Sequence, residues 1–87
     1  METNLAITGN QIRAARSLVG MGQQELADAA KIGINTVRNM EGVGGGRIRV
    51  RTDTLDAVTD ALKAAGVVFV DDGPSDGGPG VRLVRGS

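Results

Sequence analysis

The chain has 87 residues with neither cysteine nor histidine, which removes disulfides, thiolate metal sites, the commonest zinc ligand and the usual general base. At this length one small domain is expected, burying about two-thirds of its unfolded surface, and no apolar run or signal peptide argues against a soluble cytoplasmic protein. The net charge of zero hides an asymmetry: residues 1–51 carry seven Lys/Arg against four Asp/Glu (+3), and residues 52–87 carry three against six (−3). That division suits a nucleic-acid-facing front and an acidic rear.

In chain order, residues 1–9 read as a flexible N-terminus, with Leu5 and Ile7 available to cover a core. Asn10 is the expected N-cap of a first helix, whose apolar positions are Ile12, Ala15 and Leu18 and whose stop is Gly20. Gly22 caps a second helix, with Glu25 at its third position and Met21 and Leu26 spaced as a hydrophobic staple. The same arrangement recurs with Gly33 as cap and Ile32 and Val37 as staple, so a third helix should run from Ile34 to near Gly42. Leu26, Ala27, Ala30, Val37 and Met40 fall inward on this helix pair; Asn35, Arg38 and Asn39 fall outward. Two short helices so arranged form a helix-turn-helix, a geometry that fits the DNA major groove.

A glycine-rich joint at residues 42–46 leads into Arg47, Arg49 and Arg51, alternating with Ile48 and Val50. Thr52 or Asp53 caps a fourth helix with Leu55, Val58, Leu62 and Ala65 on its apolar face, closed by Gly66. Residues 67–70 and 81–84 read as two short strands around a polar, glycine-rich loop, DDGPSDGGPG, that is expected to be mobile.

The stretch QQELADAAKIGINTVRNME resembles the lambda-repressor-like (Cro/XRE-type) regulators. Gln23, Leu26, Ala27, Ile32, Thr36, Val37, Met40 and Glu41 stand at positions matching that family's pattern, and the likeness extends over residues 10–65. The tail is similar to a small bacterial subgroup in which a strand pair follows the helices. Two departures stand out. Lys31 occupies a turn position where the family usually has Gly, at a cost of roughly 1 kcal/mol if the backbone is left-handed there. Gly33 replaces the usual capping Ser, removing a hydroxyl that would contact phosphate.

The resemblance implies a mainly α fold: a four-helix domain over residues 10–65, followed at 66–87 by a β-hairpin or dimer-forming strands. It implies a homodimeric, sequence-specific transcriptional regulator, most simply a repressor of palindromic operators from a phage or mobile genetic element. Gln23 is expected on the DNA backbone or a base edge, with Gln24 as an adjacent, weaker candidate. Ile34, Asn35, Arg38 and Asn39 are expected to read bases, since Arg grips guanine, Asn pairs with adenine and Ile meets a thymine methyl. Lys31, Thr36 and the three loop residues Arg47, Arg49 and Arg51 are further candidates for phosphate or minor-groove contact. Arg16 and Glu41 are expected to form a structural ion pair. Val67, Phe69, Leu83 and Val84 are the expected dimer contacts, with packing on the fourth helix as the alternative.

The expected partners are therefore double-stranded DNA and a second copy of the chain, with no membrane. A protein-interaction module, such as an antitoxin or anti-activator using the acidic rear and the DDGPSDGGPG loop, is the rival reading. Catalysis is not expected: the acidic residues show no paired-carboxylate or metal-ligand spacing, and the run of glycines at 44–46 lacks the Lys and strand of a P-loop. No metal, cofactor or small-molecule ligand is expected either.

Overall fold

The computed structural model describes residues 7–46, 48–70 and 80–84. The fold is mainly helical: α1 (Gly9–Val19), α2 (Gln23–Ala30), α3 (Ile34–Gly42) and α4 (Thr52–Ala64), followed by strands β1 (Val67–Val70) and β2 (Gly80–Leu83). The strands pair antiparallel, with Val67 opposite Leu83 and Val70 opposite Gly80. Among the described residues no helix is long and apolar enough to cross a membrane.

The first helix begins earlier than its sequence suggests. Thr8, not Asn10, is the N-cap: the Gln11 N–H donates to Thr8 Oγ1 at 3.1 Å, and the Thr8 N–H donates to Gln11 Oε1 at 2.8 Å. This reciprocal box satisfies two otherwise orphaned donors, and it places Ile7 and Ile12 where a hydrophobic staple requires them. Both isoleucines are buried in the core, so residues 7–9 are part of the fold and not of a flexible terminus. Residues 1–6 lie outside the described residues. Asn10, freed from capping, donates its backbone N–H to the Gly44 carbonyl at 2.9 Å.

Gly9 explains how closely α1 meets α3. A Cβ on it would run into the Met40 carbonyl oxygen and lie 3.0 Å from that of Glu41. No other residue type fits between these two backbones without displacing them.

Leu18 does not join the core; it is 43% exposed, and Val19 packs there instead. Helical periodicity gives the reason. Seven residues from Ile12 is nearly two full turns and returns Val19 to the same face, whereas six residues carry Leu18 well round the helix.

The helix pair forms as its caps dictate. Gly22 donates its N–H to the Glu25 carboxylate at 2.7 Å, opening α2. Lys31 closes α2 in the left-handed region, with φ 61°, and is the one non-glycine residue with positive φ among those described. Its N–H and that of Ile32 donate to the Asp28 and Ala27 carbonyls, which satisfies the last turn. Gly33 then opens α3 from an extended conformation. Leu26, Ala27, Ala30, Val37 and Met40 are all buried, as their spacing predicts.

Two details of α4 differ from expectation. Its N-cap is Arg51, one residue before Thr52, and no side chain caps it. The Leu55 N–H already bonds to the Arg51 carbonyl at 3.0 Å, so helical hydrogen bonding starts ahead of both expected caps. At the other end Ala65 is an exposed C-cap, and the inward face uses Thr59 with Val58 and Leu62. Thr59 satisfies its hydroxyl by donating to the Asp56 carbonyl at 3.1 Å, which permits its burial. The second strand likewise starts at Gly80 and ends at Leu83, one residue earlier than expected.

The hairpin is fastened to α1 at its loop end, and one further rung extends its ladder at the other end. Gln11 Nε2 donates to the carbonyls of Gly80 and Val70, at 3.0 and 3.3 Å. At the opposite end the Val84 N–H donates to the Gly66 carbonyl at 2.7 Å. Val67 and Phe69 pack inward, Val67 fully and Phe69 in part.

Candidate nucleic-acid interface

The outward side of α3 holds the residues expected to read bases. Val37, Met40 and Glu41 anchor the helix inward, and the same periodicity leaves Asn35, Arg38 and Asn39 exposed. Arg38 Nη1 lies 3.4 Å from Asn35 Oδ1, a long and exposed contact that holds neither group firmly. The first turn of α3 carries no acidic residue and Gly33 supplies no capping side chain, so its positive dipole end is uncompensated by protein groups. Ile34, expected to be exposed there, is half-buried and packs against the core. It opens α3 directly after the Gly33 cap, where the first turn of the helix lies over apolar surface. Thr36 is half-buried and Lys31 exposed at the turn.

Gln23 is placed by a buried carboxylate. Glu41, 2% exposed, accepts from Arg16 Nε at 2.6 Å and Arg16 Nη2 at 2.8 Å, a bidentate pair joining α1 to α3. It also accepts from Gln23 Nε2 at 3.0 Å, which ties the first residue of α2 into the same cluster. Arg16 donates further to the Met21 carbonyl at 3.0 Å, between α1 and α2. Burial by itself would push the Glu41 carboxyl up; hydrogen bonds from Arg16 and Gln23, with the charges of Arg16 and Arg13, outweigh it and hold the group below its ordinary value. The hydrogen bond to Glu41 conversely raises the Arg16 guanidinium, against a smaller opposing effect of burial. Gln24 is exposed and donates to Asp28 within its own helix at 2.9 Å.

Of the loop arginines, Arg47 lies outside the described residues. Arg49 is exposed and shares with Asn39 the rim of an open hollow of about 410 Å³, floored by Met40, Ile48 and Val50. The loop thus brings one cation beside the outward side of α3. Arg51 pairs with Asp53 at 3.2 Å, with both side chains exposed, so the pair adds little to stability and is readily exchanged.

The four strand residues separate. Val67 is 2% exposed and occupied by its own core, and Phe69 packs against that core, so neither offers a free surface to a second copy. Leu83 and Val84 are 40% and 50% exposed, and Val68, which was not among the expected contacts, joins them at 42%. Alternation along β1 accounts for Val68: its neighbours face inward and it faces out. The loop at residues 71–79 lies outside the described residues.

Gln11 is the structural residue that apolar periodicity passes over. It is polar and lies in a helix, yet is 5% exposed. The spacing Thr8-x-x-Gln11 is the signal that marks it, as half of a capping box. Set against known protein families, the chain matches none, and no curated protein matches it.

Proposed function

We propose that this protein is a sequence-specific DNA-binding regulator in which α2 and α3 act as a helix-turn-helix and α3 enters the major groove. The observation that carries this reading is the outward side of α3: Asn35, Arg38 and Asn39 are exposed together on a short helix whose other side is locked into the core. These amide and guanidinium groups match the hydrogen-bonding edges of adenine and guanine. Lys31 and Arg49, exposed on either flank of α3 in the chain, supply charge for the phosphate backbone. The half-buried Ile34 takes a lesser part, limited to whatever edge it leaves open to a thymine methyl.

Within this reading the protein acts as a homodimer, most simply a repressor, and the apolar surface of the hairpin supports the dimer. Val68 and Val84 lie exposed on the outward face of the hairpin and Leu83 is exposed at the edge of the opposite, Val67-bearing face; a second copy covering this end of the hairpin would present two α3 helices to a palindromic site. Selection of bound duplexes from a random-sequence pool tests the reading. It should yield a symmetric consensus, and Arg38→Ala should relax one position of each half-site at a cost of about 1–3 kcal/mol. If no sequence is enriched and no salt-sensitive complex forms, the protein does not read DNA, and the interaction-module reading takes its place.

A further inference from the structure

The hollow beside α3 carries apolar surface that contact with duplex DNA leaves unexplained. Its volume is about 410 Å³, at the small end of the roughly 300–1,000 Å³ typical of small-ligand sites. Met40 and Ile48 belong to its floor and to the core, at 1% and 7% exposed, so they lend rigidity more than area. The area comes from Val43, 41% exposed, and from half-buried Val50. A phosphate gains nothing by covering valine, whereas an apolar group does.

The walls stand before any ligand arrives. In the turn after α3 the Gly44 and Gly46 N–H groups donate to the Glu41 and Val43 carbonyls, at 3.0 and 2.8 Å. The Gly44 carbonyl is itself held by the Asn10 N–H. Little ordering cost therefore remains for binding. The polar groups, Arg49 and Asn39, are exposed on the rim, and no acidic residue lines the hollow. Among the described residues Arg49 makes no ion pair. One guanidinium balances one negative charge, and its planar fork matches a carboxylate, with the Asn39 amide as a further donor. A phosphomonoester, at about −1.5 to −2 near neutral pH, would leave charge unmatched.

We propose that this hollow binds a small organic acid with an apolar chain or ring, its carboxylate on Arg49 and Asn39 and its apolar part on Val43 and Val50. The site stands on its own geometry. Its consequence rests on the DNA-binding reading, which gives Asn39 and Arg49 to the duplex. A bound acid occupies both groups, so acid and duplex exclude each other and the acid releases the protein from DNA.

Octanoate is the probe, titrated into the nitrogen-15-labelled full chain and followed by amide chemical shifts. Saturable shifts should gather at Asn39, Val43 and Val50, with a Kd of about 1 mM for so small a ligand in an open site. Octanol, which lacks the charge, should bind about tenfold more weakly, and Arg49→Ala should weaken octanoate by about the same factor. Val43→Asp should abolish binding with an unchanged melting temperature. Equal binding of octanol and octanoate, or shifts centred on Val68, Leu83 and Val84, would overturn the site as mere apolar adsorption. Shifts at Val43 and Val50 on raising protein concentration alone would overturn it too, by showing that a second copy covers the hollow. In a parallel anisotropy titration of a labelled duplex, octanoate at ten times its Kd should lower duplex affinity about tenfold, with equimolar acetate as the ionic-strength control. An effect no larger than that of acetate overturns the exclusion. If octanoate occupies the hollow and wild-type protein binds no duplex, the DNA-binding reading fails and the acid site stands.

Discussion

Glu41 has the most consequential environment of any single residue here, because one buried carboxylate connects α1, α2 and α3. Removing its charge leaves Arg16, itself only 15% exposed, without its partner. Glu41→Gln should therefore destabilise the fold by about 3 kcal/mol at neutral pH, measured by urea unfolding. The pH dependence has a definite sign. The folded carboxyl is held below its ordinary value of 4.5, so its stabilisation is full above that value and drains away as pH falls through the lower, folded pKa. Wild-type stability should drop across that acid window, and Glu41→Gln should drop less steeply; parallel curves would show that another group governs the acid limb. Lys31 poses a smaller, opposite case. Its left-handed backbone costs roughly 1–2 kcal/mol that glycine would not incur, while glycine loses about 0.4–1 kcal/mol through unfolded-state entropy. Lys31→Gly should thus raise stability by about 0.5 kcal/mol while weakening DNA binding through loss of a cation, two changes of opposite sign that one melting curve and one binding curve separate.

At the scale of elements, what was legible in the sequence follows from how local each cause is. The boundaries of α2 and α3 were readable because a staple, a cap and a stop all lie within a few residues of each end. Both ends of that pair agree with the structure. The start of α1 was not, because Asn10 is as good a cap by type as Thr8, and what decides between them is distant: the Gly9 backbone fits against α3, and Gly44 takes the Asn10 N–H. Burial of Thr59 and exposure of Leu18 have the same character, since they depend on which neighbours surround each helix. The exposed residues of α3 were legible as a set from the 3.6-residue period, but Ile34 was misplaced because the first turn of α3 packs against the core and solvent is not the only alternative to a base. The clearest tertiary effect is Gln11. Its amide both completes the cap of α1 and holds the loop end of the hairpin at two carbonyls, 59 and 69 residues away in the chain. An isolated two-stranded hairpin is marginal in water, so this anchor should govern its order. Gln11→Ala is expected to cost about 2–3 kcal/mol, and the amides of β1 and β2 should lose hydrogen-exchange protection before those of α2 and α3. Uniform loss of protection in all elements would mean the hairpin unfolds only with the helices.

At the scale of the whole molecule, the two proposed surfaces divide along the chain in the same way as its charge. The half with excess cations contains α3 and the loop carrying Arg49; the acidic half contains the hairpin with its exposed Val68, Leu83 and Val84. An acidic segment repels DNA, which favours its use away from the duplex, and exposed apolar side chains there gain by being covered. Leu83 and Val84 suit a test because they are exposed, whereas Val67 and Phe69 belong to the core and would unfold the protein if changed. A Leu83→Asp, Val84→Asp double variant should leave the helical circular dichroism intact while shifting sedimentation equilibrium from dimer to monomer. Its effect on DNA should also be specific in form. Two linked α3 helices bind a palindrome with an effective concentration that a single helix lacks, so affinity for a full site should fall about 100-fold or more, and affinity for an isolated half-site should hardly change. A variant that remains dimeric would place the interface elsewhere. One that becomes monomeric yet binds the full site as tightly as before would mean that pairing through the hairpin is not what sets the spacing of the two reading helices.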